Sequence, residues 1–150
     1  MPDNYLRLYV HLIWKTWDHL PLLTPDVCGI VYPVLLGKAR ELGCKTLALG
    51  GVEDHVHQLV RIPPTLDISR LVKELKGASS RHAHLTFPQR NFKWRGSYGA
   101  ISVSPATLPT VMAYIANQKD HHQRNYLEIE LETCELDENA PPEPLWDDEN

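Results

Sequence analysis

The sequence predicts an α+β fold, an antiparallel sheet with helices on one face plus an additional C-terminal helix. Three observations predict it. Leu6, Leu8, Val10, Leu12 and Trp14 alternate with the period of a strand. Strand-like and helix-like segments follow one another in the order βαββαβα. The 150 residues, 43% hydrophobic and 23% charged, suffice for one sheet-and-helix core and are too few for two.

The first strand is read over Tyr5 to Trp14, followed by a turn at Asp18 to Pro25. Val27 to Leu42 then reads as a helix ended by Gly43, with Pro33 implying a kink or a later start. Cys44 to Leu49 and His55 to Ile62 form a hairpin across Gly50-Gly51. Asp67 is an N-cap for a helix from Ile68 to about His82, ahead of Pro88. Gly99 to Ser104 supplies the fourth strand, and Leu108 to about Arg124 the last helix. This order is a ferredoxin-like (RRM-like) plait with one helix added.

His55-Val56-His57 is the most informative motif, because residues i and i+2 of a strand share a face. Two imidazoles with Cβ atoms roughly 7 Å apart can converge on one divalent ion. Taken alone, the motif fits two half-exposed strand histidines with no ligand better than a metal pair, since such pairs are common. Asp54 alternates away from that face, which suits a turn or capping role better than ligation. In the last helix Tyr114 and Gln118 are i and i+4, so one face carries a phenol and an amide. A tyrosine oxygen can form a covalent enzyme intermediate, and an amide oxygen can be a hard third ligand beside two imidazoles. Alone, Tyr114 also fits a helix residue with its ring half buried.

The segments LYVHLIWKTW, DHVHQLVRIPPTLDISRLVKELKGASSR, FKWRGSYGAISVS and VMAYIANQKDHH, spanning roughly residues 5 to 126, resemble the single-tyrosine HUH transposases of the smallest bacterial insertion sequences. That group includes the REP-associated tyrosine transposases. The resemblance implies that Tyr114 is the catalytic nucleophile and that His55, His57 and Gln118 hold a metal ion. It further implies cleavage and rejoining of single-stranded DNA at hairpin-marked ends through a 5′-phosphotyrosine, and a homodimer whose sites are built in trans. Mg²⁺ or Mn²⁺ suits such a mixed N/O site better than a structural zinc. One departure stands in Trp94-Arg95-Gly96-Ser97-Tyr98, where the family's Trp-x-x-Gly-Tyr spacing is displaced. Tyr98 ranks second as nucleophile because it lacks the paired glutamine, and His121 and His122 are expected to face solvent or phosphate.

The net charge of −4 conceals a division along the chain. From Glu128 onward there are ten acidic residues and no Lys or Arg, which leaves residues 1–127 at +6. We therefore divide the chain into a transposase-like domain, 1–127, and an acidic, proline-containing extension, 128–150, read as a solubilising segment or a DNA mimic, with LEIEL and Leu145-Trp146 able to dock. A positive body suits a phosphate backbone. Arg70, Lys73, Lys76 and Arg81 form a stripe on the second long helix, while Lys93 and Arg95 interleave with Phe92 and Trp94 in a pattern that can pair phosphates and stack on bases. A solvated helix face would look the same.

Cys28, Cys44 and Cys134 have no metal-type spacing and read as structural thiols. No signal-like N-terminus or long apolar run is present, so a cytoplasmic location and no membrane partner are expected. Two other functions share these residues: a domesticated or inactive relative that binds DNA hairpins without cleavage, and a metal-dependent phosphoesterase that uses water.

Overall fold

A computed structural model describes residues 4–118 together with Glu132 and Cys134. Four strands and three α-helices follow in the expected order: β1 Tyr9–Lys15, α1 Pro25–Glu41, β2 Lys45–Val52, β3 His55–Arg61, α2 Ile68–Thr86, β4 Gly99–Val103 and α3 Leu108–Ala116. The strands lie in the order β2-β3-β1-β4, every neighbouring pair antiparallel. This is the four-stranded plait that the element order predicts.

The two central strands are buried on both sides, and alternation sorts their side chains. Val10, Leu12 and Trp14 of β1 and Val56 and Val60 of β3 face α1 and α2. Helix α1 meets them with Val27, Val31, Leu35 and Ala39, and α2 with Leu71, Val72, Leu75 and Ala83, each a stripe at helical spacing. On the opposite face Tyr9 and Leu59 pack against Val111 and Ile115 of α3. Two helices therefore cover one side of the sheet and α3, which carries Tyr114, the other.

Several local expectations change. Leu6 and Leu8 precede β1 and are exposed, because the described pairing with β3 and β4 begins at Tyr9. Helix α1 starts at Pro25, earlier than expected, and runs on through Pro33; a proline at the first helical position lacks only an N–H that the helix cannot use. Gly43 does follow α1 with φ 86°, the left-handed residue that ends many helices. Gly50 and Gly51 are not the hairpin turn. They lie inside β2 opposite His57 and Val56, and Glu53 and Asp54 make the turn. Gly50 is required by a close approach instead, since a Cβ there would fall inside van der Waals contact of the Ile115 carbonyl oxygen in α3. Asp67 is the N-cap of α2, though its side chain makes no capping bond. The expected continuation of the last helix to Arg124, with His121 and His122, and most of the 128–150 extension lie outside the described residues.

Candidate functional site

His55 and His57 project from β3 on the α3 side, their rings 5.1 Å apart between centroids, while Val56 between them is buried on the other face. Each ring is held at Nδ1. His55 Nδ1 lies 2.7 Å from Asp54 Oδ1, so the turn residue orients the His55 ring. His57 Nδ1 lies 2.8 Å from Nε2 of His11 on β1. With both Nδ1 atoms engaged, the Nε2 atoms face one oxygen, Glu132 Oε2, at 3.2 Å from His55 and 3.3 Å from His57. The other carboxylate oxygen, Oε1, accepts a 2.6 Å hydrogen bond from the Tyr114 hydroxyl. Tyr114 stands edge-on to His57 with ring centroids 6.0 Å apart.

Three of the four predicted site residues are thus placed as follows: His55 and His57 side by side, and Tyr114 over them from α3. Gly50 makes this possible, because it lies opposite His57 and admits the α3 backbone one residue from Tyr114. Gln118 is also buried, and its Nε2 donates to the Tyr114 carbonyl one helical turn back. The oxygen between the two imidazoles comes from Glu132, which the sequence reading left in the acidic extension. One alternative nucleophile is separated from this set: Tyr98 packs on the α1 and α2 side of the sheet, with Lys76 Nζ 6.0 Å from its ring centroid.

The electrostatics match a cation site. Burial acts to lower the His55 pKa, but hydrogen bonds to the Asp54 and Glu132 carboxylates outweigh it and raise it to about 9. For Glu132 burial acts upward, yet hydrogen bonds from His55, His57 and Tyr114 hold it well below the usual carboxylate range. Two imidazole nitrogens and one carboxylate oxygen lie within 4.8 Å of one another, a donor set that could hold a divalent ion. His11 is buried between the sheet and α3; burial first, and His57 second, lower its pKa to about 3. Sequence reasoning missed both His11 and Glu132. His11 carried one signal, its place two residues before Ile13 on an alternating strand, but only the register Ile13↔His57 shows that it reaches the motif diagonally.

The predicted basic residues divide. Lys73, Lys76, Lys93 and Arg95 line a cleft of about 390 Å³ between α2 and the segment before β4. Lys76 spends two donors there on the carbonyls of Arg95 and Ser97, at 2.7 and 2.8 Å, and burial lowers its pKa. Arg81 lines a neighbouring depression with Lys38 and Lys73, and Arg70 is exposed on the same helix. The interleaved aromatics do not face outward as expected. Phe92 and Trp94 are buried edge-to-face at 4.7 Å, and Trp94 Nε1 donates to Ser79 Oγ, so both rings are largely taken up by the core. The exposed aromatic beside this segment is Trp17, with Lys93 Nζ 4.0 Å from its ring centroid.

The family model described as "Transposase IS200 like" matches residues 4–118. The chain belongs to that family. The ISDra2 transposase TnpA of Deinococcus radiodurans is 32% identical over 120 residues, which cover 76% of this chain and 86% of that protein. A solved transposase structure from D. radiodurans R1 superposes with a TM-score of 0.63 at 32% identity, covering 79% of this chain and 96% of that one. A REP-associated tyrosine transposase, solved bound to a REP hairpin, superposes with a TM-score of 0.60 at 12% identity, covering 85% and 74%. The last likeness speaks for the fold alone. This IS200-like transposase thus has the family's four-stranded sheet with helices on both sides, and no helix among its described residues is long and apolar enough to cross a membrane.

Proposed function

We propose that this IS200-like transposase cleaves and rejoins single-stranded DNA at hairpin-marked element ends, with Tyr114 as nucleophile and Mg²⁺ or Mn²⁺ as cofactor. The observation that carries the reading is the convergence of the Tyr114 hydroxyl and the His55 and His57 Nε2 atoms on one carboxylate, Glu132. His55 and His57 would hold the ion, with the third ligand from Gln118, as the resemblance implies, or from Glu132, which already supplies an oxygen there. When bound, the ion would neutralise charge on the scissile phosphate and orient it for in-line displacement.

The chain's own residues do the rest. Asp54 and His11 fix the two imidazoles, and Glu132 orients the phenol. The Tyr114 oxygen attacks phosphorus as its proton leaves, the bond to the 3′ oxygen breaks, and that oxygen departs as a 3′-hydroxyl. The resulting 5′-phosphotyrosine conserves the phosphodiester, so a 3′-hydroxyl can reverse the step without ATP. Lys73, Lys76, Arg81, Arg70, Lys93 and Arg95 are proposed to track the DNA backbone. Residues 1–127 form the working domain and 128–150 an extension that contributes Glu132.

A denaturing gel of the protein incubated with single-stranded hairpin DNA and Mn²⁺ tests this reading. A covalent protein–DNA adduct is expected. Binding without cleavage would mark an inactive hairpin binder, and cleavage without adduct a water-using phosphoesterase. Chelation should abolish the adduct and Mn²⁺ restore it. His57→Ala should bind Mn²⁺ at least 10-fold more weakly in calorimetry. The sequence suggests that this variant leaves the core intact; complete burial of the ring makes a cost of about 2 kcal/mol the better expectation. Comparing Gln118→Ala with Glu132→Ala in the same titration identifies the third ligand.

The resemblance also implies a homodimer with Tyr114 delivered to the partner's histidines, whereas the contact described above lies within one chain. Mixing decides between them. With trans sites, His57→Ala and Tyr114→Phe proteins, each inactive alone, recover activity in a verified heterodimer, because one site then combines intact histidines with an intact tyrosine. With cis sites every site keeps one lesion and nothing is recovered.

A further inference from the structure

We propose that His11 is the positioning residue for metal binding, fixing His57 with its Nε2 lone pair turned toward the ion. The proposal rests on the metal reading above and adds a residue to it. Three observations support it. His11 is completely buried on a central strand, its ring nearly parallel to that of His57 (8°, centroids 5.0 Å apart), and its Nε2 lies 2.8 Å from His57 Nδ1. That short contact accommodates one proton between two nitrogens. If His11 donates it, neutral His57 carries its own proton on Nε2 and cannot ligate. If His57 donates from Nδ1, its Nε2 is free as a ligand and His11 accepts.

The second arrangement places His11's own proton on Nδ1, a nitrogen buried with no hydrogen-bond partner among the described residues. Packing alone would be met by an apolar residue, which strands no atom of its own, since the apolar cluster on this side of the sheet includes Tyr9, Leu59 and Ile115. A buried imidazole with one unsatisfied nitrogen is a cost that its packing alone does not explain. Orientation of His57 explains it, as Asp54 does for His55 from the other side. The two ligands are thereby held by different chemistries, a carboxylate at the rim and a neutral imidazole in the interior.

Mn²⁺ titration calorimetry on the full chain and on His11→Leu and His11→Gln tests the proposal, with circular dichroism to confirm folding. The leucine fills the space without an acceptor; the glutamine offers a carbonyl to His57 Nδ1. We expect His11→Leu to bind Mn²⁺ roughly 10- to 100-fold more weakly and His11→Gln to recover most of that loss. Equal affinity of parent and leucine variant would overturn the role of His11 while leaving the metal site standing. No binding by the parent would overturn the metal reading and the proposal together. Should the leucine variant fail to fold, imidazole ¹⁵N shifts of the Mg²⁺-loaded parent decide: protonated Nδ1 on both His57 and His11 is expected, and a proton on His11 Nε2 would overturn it.

Discussion

Tyr114→Phe is expected to abolish the covalent adduct completely while leaving hairpin affinity within a few-fold of the parent. The substitution removes one oxygen from a residue that is 5% exposed and takes no basic group from the surface, so phosphate contacts persist. Its structural cost is the hydrogen bond to Glu132, about 1.5–3 kcal/mol for a bond to a charged acceptor. Gel-shift and denaturing-gel assays on the same preparation read the two quantities separately. Adduct from the phenylalanine variant would assign the nucleophile elsewhere. Loss of adduct and hairpin binding together would show that Tyr114 acts in DNA recognition or folding.

Gly50→Val is expected to be among the most damaging changes outside the chemical groups themselves. Its side chain would meet the backbone oxygen of Ile115, which cannot rotate aside, so α3 must lift from β2. Overpacking of this kind costs about 1–3 kcal/mol, and a displacement near 1 Å at a catalytic group can cost on the order of 100-fold in rate. The cleavage rate should therefore fall by about two orders of magnitude in a protein that still folds, with the melting temperature lowered and Mn²⁺ affinity less affected, since both histidines stand on β3. Wild-type cleavage would show that α3 does not need this seat.

The sequence disclosed whatever depends on local periodicity. Period two put His55 and His57 on one face, and the i, i+4 spacing put Tyr114 and Gln118 on one face of α3. It did not disclose what depends on which strand lies beside which. His11 becomes a neighbour of His57 only through the β1–β3 register. Glu132 lies 18 residues beyond Tyr114, inside a run whose acidic composition conceals any single carboxylate. Gly50-Gly51 was ambiguous in kind, since glycine signals a turn and a close approach equally. Phe92 and Trp94 were misdirected because alternation gives two opposite faces without saying which is wet.

The division of labour between the two faces of the sheet has a genetic consequence. In β1 and β3 residue parity separates two kinds of defect. Even positions, Val10, Leu12, Trp14, Val56 and Val60, belong to the core under α1 and α2, and Gln58 joins them by donating to the Leu35 carbonyl. Odd positions, His11, His55 and His57, carry the imidazoles. A saturation scan scored for both abundance and cleavage should separate these sets, with the even core positions losing protein, His11, His55 and His57 losing cleavage in excess of any loss of protein, and the buried odd positions Tyr9, Ile13 and Leu59 losing protein as well. A one-residue insertion or deletion within β3 would exchange the two sets at once, presenting imidazoles to the core under α1 and α2 and valines to the α3 face, so these strands should tolerate substitution far better than any change in length.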